Sequence, residues 1–339
     1  MRVGIVVAGL AVLTACSTPA PRDIDATSSS EVTPTMSATP SMTVGAGSGP
    51  PIAIDELEGK IAFSDETNDI WTMRADGSHV RQVTNGRAQE FDPTWSPDGE
   101  RIAYRHQTGD DTTTEIFVMD AEGMTRTNLT RNGVADWGPD WAPDGRTITF
   151  NSAMGTEGFG LLGYRIAPDG TGLDRLGTRH FVEYPDRSPD GSRIVFMAQE
   201  PGASGSNPDY NIFVMDADGK DVTRLTDVPG EDGWPAWSPD GSRIVFSSAR
   251  DDCSISEASD CRSSGDLGPW LDVWIMDADG ANQRRVTFEF GQFFTWSPDG
   301  SAILVAGAQS LYLIRPDGTG MTPLEVPGVA HPLFPDWIG

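Results

Sequence analysis

Short runs of alternating apolar and polar residues recur along most of this chain, and they come in a fixed order. Arg243-Ile244-Val245-Phe246-Ser247 is alternating and rich in β-branched residues, which predicts a strand. Asp272-Val273-Trp274-Ile275-Met276 predicts the next and runs into Asp277-Ala278-Asp279-Gly280. That tetrapeptide reads as a tight turn whose glycine takes the positive φ other residues avoid. A shorter strand follows at 283–287, and a fourth precedes the next tryptophan. The same succession appears at 193–197, 211–215 and 222–226, and again at 101–105, 115–119 and 127–130.

One phrase punctuates these runs. It reads Trp95-Ser96-Pro97-Asp98-Gly99, Trp141-Ala142-Pro143-Asp144-Gly145, Arg187-Ser188-Pro189-Asp190-Gly191, Trp237-Ser238-Pro239-Asp240-Gly241 and Trp296-Ser297-Pro298-Asp299-Gly300. Its prolines lie 46, 46, 50 and 59 residues apart, the period of a four-stranded propeller blade. Pro-Asp-Gly serves as a hairpin turn: proline presets φ, aspartate bonds to the backbone ahead, and glycine ends the turn. The tryptophan suits a blade-to-blade contact, where a large aromatic surface is buried.

Counting units gives six. The first, from Lys60-Ile61-Ala62-Phe63, lacks an inner strand, whereas Phe334-Pro335-Asp336-Trp337 near the end is an inner-strand phrase with nothing after it. The tail is therefore expected to complete the first blade and close an all-β, six-bladed propeller with four antiparallel strands per blade. Closure removes the open sheet edge that invites aggregation. Arg187 in place of tryptophan, and a weaker strand signal over 161–166, predict an irregular region.

Composition divides the chain into three. Residues 1–15 read as a signal peptide: Arg2 is followed by an apolar run over 3–13, too short to span a bilayer of ~30 Å. Leu13-Thr14-Ala15-Cys16 resembles a bacterial lipobox, which implies a lipid on Cys16; the other reading is an ordinary secretory signal. Residues 16–54 are Ser/Thr/Pro-rich and too poor in large apolar side chains to offset their ordering entropy, so they read as a disordered tether. Residues 55–339 form the propeller. In an exported protein Cys253 and Cys261, eight apart, are expected to form a local disulfide.

The 24 Lys plus Arg against 50 Asp plus Glu give a net charge of −26. So acidic a surface repels nucleic acid and anionic lipid headgroups, and membrane association would come from the lipid anchor alone. Arginine outnumbers lysine 22 to 2, the usage of a high-GC genome, and the whole looks like an actinobacterial exported lipoprotein.

The Trp-Ser-Pro-Asp-Gly phrase, with Ile-Phe-Val-Met-Asp-Ala at 116–121 and 212–217, resembles the TolB and WD40-like propeller family over about residues 56–339. The resemblance implies an envelope protein that binds other proteins; some relatives are instead propeller domains of peptidases. The adaptors of the family carry a further α/β domain before the propeller, where this chain has the anchor and tether. The peptidases need a hydrolase domain after it.

Uniform turns on one face leave the variable connections to the other, and function usually sits on variable loops held by a rigid scaffold. The segments entering the inner strands carry Glu90, Asp92, Asp136, Trp137, Glu183, Tyr184, Asp232, Trp234, Phe293 and His331. Carboxylates beside aromatics around a central opening form a candidate rim for a cationic peptide or a carbohydrate. Asp140, Asp186 and Asp336 share one position of three inner strands, and hard oxygen ligands there suit Ca²⁺. The other strands place Thr94, Ala236 and Thr295 at that position, so the ring is incomplete. No cofactor is otherwise implied. His79, His106, His180 and His331 lack a metal spacing, and no Gly-x-Ser-x-Gly elbow occurs. The sequence thus favours a monomeric, lipid-anchored binding module for an envelope protein, peptide or glycan. A propeller hydrolase or lyase acting on polysaccharide or lactone, and an accessory or sensor subunit of a membrane complex, are the other readings.

Overall fold

The computed structural model describes residues 49–107, 113–156, 160–178, 180–199, 210–250, 271–287, 291, 293–307 and 310–339. These form six antiparallel sheets of four strands each, arranged as a six-bladed propeller. The first blade is made from both ends of the folded chain: Leu333–Ile338 is its inner strand, beside Lys60–Ser64. Ile61 stands opposite Trp337 and Lys60 opposite Ile338, so the tail closes the ring in the register the apolar pattern demands. Blades two to six follow in chain order, with inner strands Gln89–Trp95, Asp136–Trp141, Glu183–Arg187, Asp232–Trp237 and Phe294–Trp296.

The core lies between blades. Ile61, Phe63, Leu304, Leu313 and Trp337 pack where blade six meets blade one, and Ala103, Ile116, Trp141 and Phe150 where blade two meets blade three. Each phrase tryptophan is buried, and four of them carry a cation from the preceding blade on their face. Lys60 lies over Trp95, Arg101 over Trp141, Arg193 over Trp237 and Arg243 over Trp296, at 4.5 to 5.5 Å. Where Arg187 replaces the tryptophan, Thr147 stands at the place of the cation, so stacking ring and charge are lost together. The irregularity expected there is absent: 162–166 is a full strand of blade three, and the blade that starts with Arg187's strand also has four strands. Arg187 finds substitutes in Thr149 Oγ1 and the Gly191 carbonyl, which accept from its guanidinium.

The turn face is built from repeated hydrogen bonds. In blades four, five and six the phrase serine donates its hydroxyl to the aspartate two residues on, at 2.7 Å. Its Oγ also accepts the backbone N–H five residues on, at 2.8 to 2.9 Å. The closing glycines sit at φ near +70°, as the turn requires. The chain joins the propeller on this same face. The Pro50 carbonyl accepts from Arg315 in a blade-six turn, Ile52 N–H donates to Thr322, and Ile52, Ile54 and Leu57 pack on the core beside them.

Candidate functional site

Each inner strand is a sheet edge that faces the central axis, where unpaired backbone donors would be left. Five of the six place proline there (Pro93, Pro139, Pro185, Pro235 and Pro335), which removes a donor. Just before the proline, the same five strands bulge, and their register against the neighbouring strand slips. The bulged residue adopts a left-handed backbone: Asp92 φ 50°, Gly138 55°, Tyr184 47°, Trp234 48° and Phe334 51°. For bulky side chains such a conformation is strained, and it persists only where the surroundings over-determine it.

The bulges turn these positions toward the axis, around a cavity of about 160 Å³. Phe293 takes the corresponding place in the sixth inner strand. Four aromatics then make one arc around the mouth. Tyr184 and Trp234 have ring centres 5.6 Å apart, Trp234 and Phe293 6.0 Å, and Phe293 and Phe334 3.8 Å. The arc is broken by Asp92 and Gly138. A Cβ at residue 138 would stand 2.8 Å from Asn151 Oδ1, so only glycine fits there without displacing the buried amide.

Deeper in the channel, one step past the prolines, lie Asp140, Asp186 and Asp336. Each uses Oδ2 to accept the backbone N–H of a residue in the next blade: Asp140 from Arg187 at 2.9 Å, Asp186 from Trp237 at 2.7 Å and Asp336 from Trp95 at 2.6 Å. The carboxylates thereby satisfy edge donors that proline does not remove, and they tie blades together. Burial pushes the Asp186 carboxyl up to about 7 and that of Asp336 up to about 6. Asp140 is raised as well, by burial and then by the charges of Asp186 and Asp336. Among the described residues no three His, Cys, Asp or Glu come together as a metal set, so the Ca²⁺ expectation at these aspartates gains no ligand cluster; their partners are strand edges.

The structure sorts the candidate rim. Asp92, Tyr184, Trp234 and Phe293 line the channel. Glu90 does not: it is buried between blades, 3.2 Å from His106 Nδ1 and near Arg126. Asp136 accepts from the Asn132 amide, and burial raises its carboxyl to about 6. Asp232 is buried against Ser248 and Arg250, the guanidinium 2.7 Å away; burial still raises it. Glu183 accepts from the Tyr210 hydroxyl at 2.9 Å, and burial raises it to about 7. Trp137 lies under the Arg105 guanidinium, outside the channel wall. His331 does not line the channel and stands 3.5 Å from Glu66. These polar groups, turned aside by the bulge, hold strand ends and loops together. Phe334, absent from the candidate rim, belongs in the arc. Cys16, Cys253 and Cys261, like most of the long connections at 198–209 and 248–271, lie outside the described residues.

Fold and channel together define a class: a six-bladed propeller whose axis holds an aromatic arc above a ring of carboxylates. The family described as TolB beta propeller domain matches residues 62–207. Among solved structures, TolB from Acinetobacter baumannii superposes with a TM-score of 0.65 at 21% identity, covering 82% of this chain and 66% of that one. The chain therefore spans just under two thirds of that protein. The putative TolB from Agrobacterium tumefaciens gives 0.57 at 18% identity, covering 79% and 88%. A chain of the nidogen/laminin complex gives 0.58 at 11% identity, covering 83% and 98%. At these identities the likeness is one of fold. No curated protein sequence is recognisably similar to the chain.

Proposed function

We propose that the protein is a non-enzymatic binding module that captures a segment of an envelope protein or peptide at the mouth of its channel. In this reading it is exported, carries a lipid on Cys16 and is held off the membrane by residues 16–54. The observation that carries the reading is the arc of Tyr184, Trp234, Phe293 and Phe334, three of them held in strained left-handed backbone around one cavity. Strain of this kind, stored at a concave site, points to function rather than to packing alone. The likeness to TolB propellers supports the same class of role.

A glycan suits the arc less well. Sugars lie on open, flat aromatic faces, whereas these rings meet at 37° to 89°, and Phe293 is 9% exposed. Crosslinking and pull-down from native envelopes with the full chain tests the proposal. The expected result is one envelope protein captured by the wild type and lost with Trp234→Ala and Tyr184→Ala variants that keep their circular dichroism. Capture unaffected by those variants, or turnover of a polysaccharide or lactone panel by the purified protein, would replace the reading.

A further inference from the structure

We infer that the channel is a receptor for a single cationic side chain, a lysine or arginine presented by the bound segment, with its stem along the aromatic arc and its head among Asp140, Asp186 and Asp336. The inference rests on the reading of the mouth as a peptide-binding surface and specifies what enters it.

Three observations converge on it. The first is charge. Four carboxylates line the cavity, at Asp92, Asp140, Asp186 and Asp336. Asp92 has Arg105 Nε at 3.3 Å. Arg187 acts on Asp140, but its guanidinium is bonded to Thr149 and Gly191. No lysine or arginine among the described residues offsets Asp186 or Asp336, which repel each other and Asp140. A cation entering here would be drawn by carboxylates that the protein itself leaves short of positive charge.

The second is the buried Asp92 carboxylate, 8% exposed, which lines the same cavity with the Arg105 guanidinium and the Gly138 backbone N–H beside it but no well-formed hydrogen bond to either oxygen. Buried acceptors in folded proteins are almost always satisfied, and an exception calls for a missing donor. The neighbouring Asn151 amide, fully buried behind Gly138, is likewise without a partner at Oδ1 and Nδ2. Asp92 lines the cavity where the arc is interrupted, so a donor of a bound segment can reach it there.

The third is dimension. The arc residues precede the prolines and the aspartates follow them, two residues along the strand, at most ~6.6 Å across the bulge. That depth matches the stem of a lysine, and a cavity of about 160 Å³ takes one long side chain rather than a folded segment. Apolar stems slide along aromatic surfaces while their charged ends seek polar groups. An ammonium has three donors to offer, and the Oδ1 atoms of these aspartates are not used by the backbone N–H groups of the next blade.

The test begins with peptides selected from a random phage-displayed library on the full chain and counter-screened on Trp234→Ala. The selected peptides are expected to share one lysine or arginine. Replacing it with norleucine should weaken binding at least tenfold, and so should Asp186→Asn combined with Asp336→Asn. Asn keeps an oxygen for the backbone N–H, and circular dichroism checks the fold; Asp190→Asn on the turn face controls for overall charge. Peptides that require Trp234 but tolerate norleucine overturn the cation site and leave the peptide reading standing. If no peptide is selected, that reading fails, and thermal melts with n-butylammonium against 1-butanol decide the cation site alone. Stabilisation by the amine only, lost in Asp186→Asn, supports it. An equal response to both, or stabilisation by CaCl₂ with none by the amine, overturns it.

Discussion

The turn face and the channel carry the same residue in the same repeat and use it in opposite ways. Asp190 and Asp240 are exposed in their turns, take hydrogen bonds from serine hydroxyls and backbone N–H groups, and are held at about 2. Asp186, four residues before Asp190, faces the axis and is pushed up to about 7 by burial. The turn aspartate is stabilised as an anion by groups its own sequence supplies. The channel aspartate has one backbone donor and is short of positive charge. The first arrangement serves folding; the second serves the site, at some expense of stability.

The largest effect should come from the tryptophans that both regions depend on. Trp237→Ala removes a buried ring between blades and should cost about 3–5 kcal/mol in urea unfolding. A smaller loss would mean that the blade contact is carried by its aliphatic neighbours.

The pH dependence comes next. Carboxyls with raised pKa in the folded state make the protein lose stability as pH rises from about 4 through about 7. The turn aspartates, held at about 2, contribute stability above about 4 that is lost as pH falls toward 2. The urea midpoint should therefore be highest near pH 4 to 5. Asp186→Asn with Asp336→Asn should flatten the slope between pH 5 and 7.5 while leaving the acid limb. An unchanged slope would break the contrast between the two rings.

Smaller effects sharpen it. Ser238→Ala removes the hydroxyl that donates to Asp240 and accepts from Arg243 N–H. It should cost about 1 kcal/mol and leave channel binding untouched. Lys60→Ala, which removes a cation over Trp95 at 5.5 Å, should cost about 0.5 kcal/mol in the same assay.

The blades were legible because their signals are local. Pro-Asp-Gly and Asp-Ala-Asp-Gly specify turns by their own chemistry, and an orphan inner-strand phrase near the end implied closure onto the first blade. The channel was half legible. Glu90 and Asp92 are two residues apart and look alike as rim carboxylates, yet a bulge sends Asp92 to the axis and leaves Glu90 between blades. A bulge breaks the two-residue alternation on which any assignment of faces rests. One signal was present: the residue just before the inner-strand proline is the one that turns inward. Applied to Phe334-Pro335, it would have added Phe334 to the arc alongside Tyr184-Pro185 and Trp234-Pro235. The aspartate ring was visible as a shared position, but its work as an acceptor for the next blade depends on a contact some fifty residues away and was not.

Where Arg315 grips Pro50 and Thr322 receives Ile52, the polypeptide arrives on the side of the uniform turns, with the aromatic opening on the reverse. A guest in the opening would therefore meet none of the residues by which the polypeptide joins the wheel.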